Sequence, residues 1–166
     1  VKHCFLPVRA RSCDVSPDAK HVAVGLINGG FCVVDVDDMK IHASHKHMYE
    51  AVDDIKYSPD GRLLAVASHD NYIDIHDATQ GYKFMHRCKG HTSFVTHVDW
   101  SKDGTKLMSN CASYEILYWH AHNGKQIRSS TDDVEADTEW DEWTCVLGFP
   151  VMGIWPDGSD GSDVNS

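Results

Sequence analysis

Twelve histidines and six cysteines are the residues of this chain best suited to chemistry, and their spacing argues against most of it. His45-Lys46-His47 and His120-Ala121-His122 each put two imidazoles on one face of a strand. Zinc needs three or four converging ligands, so two at a strand edge read as surface residues. Cys4, Cys13, Cys32, Cys88, Cys111 and Cys145 contain no Cys-x-x-Cys pair. Cys32 and Cys111 fall in strand-like runs, where free cysteine is a small apolar filler. That usage points to a reducing compartment and not to a disulfide framework. Asp157, Asp160 and Asp163 are spaced by three in a Gly-Ser loop. A calcium loop of the EF-hand kind wants ligands at positions 1, 3 and 5 and a later Glu, so these side chains are expected to satisfy backbone N–H groups.

Carboxylates are concentrated at Asp132, Asp133, Glu135, Asp137, Glu139, Asp141 and Glu142. General acid and base work needs a pocket and a desolvated group, and nothing in the sequence suggests either. No phosphate loop, nucleophile elbow or triad spacing appears. The expectation is no catalytic residue, no cofactor and no metal. An enzyme built on the acidic loop is the third reading, recognisable by two close carboxylates of raised pKa in a cleft.

The elements that must carry these residues repeat. Ser16-Pro17-Asp18-Ala19, Ser58-Pro59-Asp60-Gly61 and Ser101-Lys102-Asp103-Gly104 recur at 42 and 43 residues. Aligned on these turns, 16–35, 58–77 and 101–120 match without a gap. Cys13, Ile55 and Val98 fall in register, as do Val15, Tyr57 and Trp100 two positions on, on the same strand face. Val22, Leu64 and Leu107 follow, then Phe31, Ile73 and Ile116. Asn28-Gly29-Gly30 and Asp70-Asn71 suit tight hairpins, and Ala112-Ser113 suits one less well. Outer strands rich in Lys, Arg and His are expected near 40–45, 83–88 and 125–130, where charge discourages stray pairing. No helix is expected.

A period of this length, filled with short alternating strands, predicts β-propeller blades. The predicted class is all-β, a partial propeller of about three blades plus the start of a fourth. The repeats run about 8–46, 47–89 and 90–131, followed by an acidic loop at 132–142 and the next blade's opening at 143–166. The 166 residues are too few for seven blades at roughly 40 residues each, so a piece of a longer protein, completed by the remainder of its own propeller, is expected. The net charge of −10 lies wholly in 132–166, which has ten acidic residues and no Lys or Arg. That balance disfavours nucleic acid and anionic membrane as partners. With no signal peptide and no apolar run near 18 residues, a soluble intracellular protein is expected.

Gly90-His91 opens the third copy and Trp119 nearly closes it, which together with the spacing resembles the WD40 repeat family. There a His, a Ser or Thr, an Asp and a Trp form a structural hydrogen-bonded tetrad. The resemblance implies that role for His91, Ser109 and Trp119. Ser113 stands at the Asp position and His120 at the final Asp. The second copy keeps Asp70 and Asp77, with Val66 and His76 in place of Ser and Trp; the first keeps Asp35.

The run Ile55 to Tyr72, the stretches His97 to Ser101, Met108 to Asn110 and Tyr114 to Trp119, and the closing segment Trp143 to Phe149 with Gly153 to Asn165 are similar to a narrower group. They resemble the echinoderm microtubule-associated protein-like family, in the atypical second propeller of a tandem pair. The resemblance implies αβ-tubulin or microtubules as partners, with other microtubule-associated proteins beside them. It also implies a place in the cytoplasm and cytoskeleton, at the spindle or cilium. The alternative is a WD40 scaffold for another intracellular complex. Because tubulin's surface is acidic, charge sign selects Lys83, Arg87 and Lys89, or Lys102 and Lys106, as candidate interaction residues. Trp140 and Trp143 are read as buried under the next blade, with interface anchoring as the other possibility.

Overall fold

The computed structural model describes residues 3–128 and 138–146. Within them, β1 (Ala10–Val15), β2 (His21–Leu26), β3 (Gly30–Asp35) and β4 (Ile41–Lys46) form one antiparallel sheet in chain order. A second sheet holds β5 (Val52–Tyr57), β6 (Leu63–Ser68), β7 (Tyr72–Asp77) and β8 (Lys83–Lys89). The third holds β9 (Val95–Trp100), β10 (Lys106–Cys111), β11 (Ile116–His120) and β12 (Gln126–Ile127). β1 packs on β5 and β5 on β9, so the first strand of each sheet is the innermost. These are three blades of a WD40-type β-propeller.

The serine-aspartate turns explain the repeat. Ser16, Ser58 and Ser101 each donate Oγ–H to the Asp two residues on, at 2.6 Å in all three. Each serine oxygen also accepts the N–H five residues on, at 2.9 Å. The turn is therefore closed by side chains and fixes the β1→β2, β5→β6 and β9→β10 registers. Hydrogen bonds from Ser16 and Ser101 hold the Asp18 and Asp103 carboxyls below the usual range.

Apolar faces meet between the sheets. Phe31 and Val33 pack with Ile55, Tyr57 and Leu64, and Ile73 and Ile75 pack with Val98, Trp100, Leu107 and Trp119. Each fully buried large side chain contributes about 1.5–3 kcal/mol by transfer. Met108 and Tyr118, on the far face of the third sheet, are covered by Trp140 and Cys145.

Cys13 and Val15 share register with buried Ile55 and Tyr57, yet Cys13 is exposed and Val15 is 52% exposed. Register fixes which way a side chain points, and among the described residues no sheet covers that face. As expected, the described residues hold no α-helix; a three-residue 3-10 turn, Ala78–Gln80, links β7 to β8. Asp77 caps it by accepting the Thr79 N–H at 2.9 Å, and Gly81 ends it at φ 65°. β4 and β8 match the expected outer strands, whereas β12 pairs through Gln126 and Ile127 only. Of the expected loop at 132–142 and opening strand at 143–166, residues 132–137 and 147–166 lie outside the described residues. In the described stretch between them, Trp140 is buried against Tyr118 while Trp143 is 50% exposed. No helix among the described residues is long and apolar enough to cross a membrane.

Candidate interaction surface

The third sheet brings His91, Ser109 and Trp119 together. The Ser109 hydroxyl lies 2.7 Å from His91 Nε2 and accepts the Trp119 indole N–H at 2.8 Å. All three are buried, and burial pushes the His91 pKa down. The acidic member is Glu115, which sequence reasoning missed by looking to Ser113. Glu115 Oε2 lies 3.4 Å from His91 Nδ1 and accepts the Thr92 backbone N–H at 2.9 Å. That bond leads the causes that hold its carboxyl down at about 2. In the second sheet Asp70 does the same job, accepting from Tyr49 N–H at 2.7 Å. Thr92 and Tyr49 are 43 residues apart, one repeat. The extra methylene of Glu makes up for its position two residues later in the turn.

The second sheet is held differently. Asp74 is fully buried and takes Arg87 in a two-pronged pair, Nε to Oδ1 at 2.7 Å and Nη2 to Oδ2 at 2.8 Å. The two residues face each other across β7 and β8. His76, at the tryptophan position, donates Nδ1–H to the Tyr82 carbonyl at 3.0 Å and is lowered to about 4 by burial.

Carboxylates also cross between sheets on the inner strands. Asp14 accepts the Tyr57 N–H at 2.8 Å, Asp54 the Val98 N–H at 2.9 Å, and Asp99 the Trp143 N–H at 2.7 Å. Lys56 pairs with Glu142 beside them. Burial raises Asp14 and Asp54, and raises Asp99 to about 6. Desolvated carboxylates therefore do exist, at inner-strand positions that the sequence reading of the acidic loop did not consider. Each of them is tied to a backbone N–H of the following segment. Asp recurring between apolar inner-strand positions was the signal available for them.

The candidate cations divide between two ends of the sheets. Lys83, Lys102 and Lys106 lie at the end carrying the serine-aspartate turns, and Arg87 and Lys89 lie toward the opposite end. Lys83 is exposed; Lys102 pairs with Glu139 at 3.2 Å; Lys106 reaches Thr138 at 3.5 Å. Lys89 stands 5.8 Å from the Tyr72 ring centre. Arg87 is held on Asp74 in the pair described above, and its Nη2 also donates to the His47 carbonyl at 3.1 Å. At the turn end a cavity of about 430 Å³ opens between the first two sheets, lined by Asp18, His21, His42, Tyr57, Asp60 and Tyr82. The Tyr57 and Tyr82 hydroxyls share a hydrogen bond of 2.8 Å there.

Known proteins show the same pattern. A family model described as the echinoderm microtubule-associated protein second beta-propeller matches residues 1–166. The chain is 46% identical over 165 residues to the 77 kDa echinoderm microtubule-associated protein of Lytechinus variegatus, covering 98% of this chain and 24% of that one. It is 47% identical over 158 residues to human echinoderm microtubule-associated protein-like 3, covering 92% and 17%. It thus spans about a quarter or less of these relatives. Among solved structures, Chaetomium thermophilum Sqt1 bound to the N-terminus of ribosomal protein L10 superposes with a TM-score of 0.66 at 23% identity, over 70% of this chain and 32% of that one. That likeness concerns the fold. Three repeated blades, a whole-length family match and relatives above 40% identity lead to one conclusion: the chain belongs to the echinoderm microtubule-associated protein family, in its second β-propeller.

Proposed function

We propose that this chain is part of a non-enzymatic interaction module that binds αβ-tubulin or microtubules in the cytoplasm, on the cytoskeleton of the spindle or cilium. The carrying observation is the match of all 166 residues to a propeller of proteins named for microtubule association. The internal chemistry supports it. Asp14, Asp54, Asp74 and Asp99, raised by burial, all bond backbone or Arg87, so they brace a platform. The contact surface is assigned to the turn end bearing Lys83, Lys102 and Lys106, whose sign complements an acidic partner.

Co-sedimentation of the full-length protein with microtubules, and pull-down of free αβ-tubulin, test this. Binding is expected, and loss of both interactions overturns it. Charge reversal at Lys83, Lys102 and Lys106 together is expected to weaken binding; unchanged affinity moves the contact elsewhere. The alternative, a scaffold for another protein complex, is favoured by the open cavity between the first two sheets. It gains if tubulin is not retained.

A further inference from the structure

The loop Gly90–Thr92 and the β10→β11 turn meet at the end of the third sheet opposite the serine-aspartate turns. His91, Cys111 and Glu115 converge there, each with one potential ligand atom within 4.8 Å of the others, and Glu115 Oε2 contacts both His91 Nδ1 and Cys111 Sγ. Among the described residues this is the one group of three or more His, Cys, Asp or Glu that meets so closely. We propose that these three side chains form a binding site for a zinc-class divalent cation, clipping the β8→β9 loop to the β10→β11 turn.

The geometry is close to what zinc needs. Ligands at tetrahedral zinc bond lengths stand roughly 3.3–3.8 Å apart. Glu115 Oε2 is 3.4 Å from His91 Nδ1 and 3.2 Å from Cys111 Sγ. The third edge, between His91 and Cys111, is at most 4.8 Å, within a small side-chain adjustment of the tetrahedral spacing. The turn that brings Glu115 back over Cys111 is a tight one, with Tyr114 at φ 60° and its N–H on the Cys111 carbonyl at 3.0 Å. His91 and Cys111 are buried, and the Glu115 side chain is 30% exposed, which leaves a fourth position open to water. Imidazole with thiolate and one carboxylate selects zinc over calcium or magnesium.

The hydrogen-bond network can supply the required tautomer. Without metal, Ser109 O–H donates to His91 Nε2 and His91 Nδ1–H faces Glu115. Ser109 has a second acceptor, the Leu117 carbonyl, at 3.3 Å. When its hydroxyl turns there, Nε2–H donates to Ser109 Oγ and Nδ1 presents its lone pair to the cation. Trp119 keeps its bond to Ser109 throughout, because an indole N–H can only donate. An outer partner that fixes the ring and tautomer of a metal-ligating histidine is what such sites use. Cys111 gives its proton to solvent on binding, so one proton is released per cation and affinity rises with pH.

The test uses the full-length protein, titrated with cobalt(II) as a spectroscopic stand-in and with zinc against a chromophoric chelator. Wild type is expected to develop a sulfur-to-cobalt charge-transfer band. Cys111→Ser is expected to abolish the band and weaken zinc by at least about 10–100-fold, the loss caused by removing even an outer-shell partner. Cys13→Ser, at an exposed cysteine, is expected to keep both band and affinity. No band in wild type, or a band that survives Cys111→Ser, overturns the proposal. If Cys111→Ser does not fold, Glu115→Gln decides, since Gln can still accept from Thr92: wild-type zinc affinity there overturns the site.

Discussion

The second sheet is braced by a buried charge, Asp74 on Arg87, while the third is braced through a neutral hub, the Ser109 hydroxyl, with the Glu115 carboxylate at its partly exposed edge. Both tie neighbouring strands together inside a blade, and both sit among apolar residues. They differ in how they fail. A buried ion pair is costly to desolvate and adds little net stability, but losing one partner leaves an uncompensated charge. A neutral hydroxyl hub leaves dipoles unpaired, which costs less. The fold tolerates either chemistry, because registry is set by the turns and seams and the brace only has to be complete.

Removing one charge should break this comparison most sharply. Arg87→Leu is expected to cost about 3–5 kcal/mol in denaturant unfolding, because Asp74 is left buried and unpaired. Asp74→Leu with Arg87→Leu should recover most of that loss, since apolar side chains of similar size can replace a buried pair. If the double variant is no better than the single, the stabilising role lies in packing by the Arg stem. Ser109→Ala should cost less, about 1–3 kcal/mol, from the Trp119 N–H and His91 nitrogen left without partners. A larger loss than that of Arg87→Leu would reverse the ranking of the two braces.

What could be read from the sequence follows the same division. The turns were legible because Ser and Asp at fixed spacing close them locally, and strand faces followed from a period of two. His91, Ser109 and Trp119 were legible through their likeness to a known repeat. Glu115 was not, because the sequence position of an acidic residue says nothing of how far its side chain reaches round a turn. Arg87 read as a surface cation because its partner, Asp74, sits on the neighbouring strand at a position the period marks only as inward. Asp14, Asp54 and Asp99 escaped for a related reason. Their partners are backbone N–H groups 43 or 44 residues on, and a backbone donor has no sequence signature.

The third sheet also carries two carboxylates shifted in opposite directions, and a pH profile separates them. Glu115, held down at about 2 from 4.5, contributes stability that is present above about pH 4.5 and lost as pH falls toward 2. Asp99, raised to about 6 from 3.8, favours the folded state when protonated, so its contribution is lost as pH rises from about 4 to 6. Unfolding followed from pH 2 to 7 should therefore show a shallower acid limb in Glu115→Gln, the lowered Asp18, Asp60 and Asp103 keeping the rest, and an undiminished one in Asp99→Asn. An unchanged acid limb in Glu115→Gln would remove Glu115 from the brace.

The first sheet extends the comparison to the turns themselves, where the expected effect is smallest. The second and third turns place Gly61 and Gly104 at φ 71° and 69°, and the first places Ala19 at φ 57°. All three turns carry the same serine-to-aspartate bond, so the hydrogen bonding does not distinguish them. A Cβ in the left-handed region approaches the following carbonyl oxygen, which glycine avoids. Ala19→Gly removes that strain but gives the unfolded chain more freedom to lose. The strain of about 1–2 kcal/mol exceeds the entropy term of about 0.4–1 kcal/mol, so a net gain of about 0.5–1 kcal/mol is expected in denaturant unfolding. Gly61→Ala should lose about the same amount, because it imposes on the second turn the strain that the first already bears. A loss in Ala19→Gly would mean that the strain at this turn is smaller than the entropy of the added glycine.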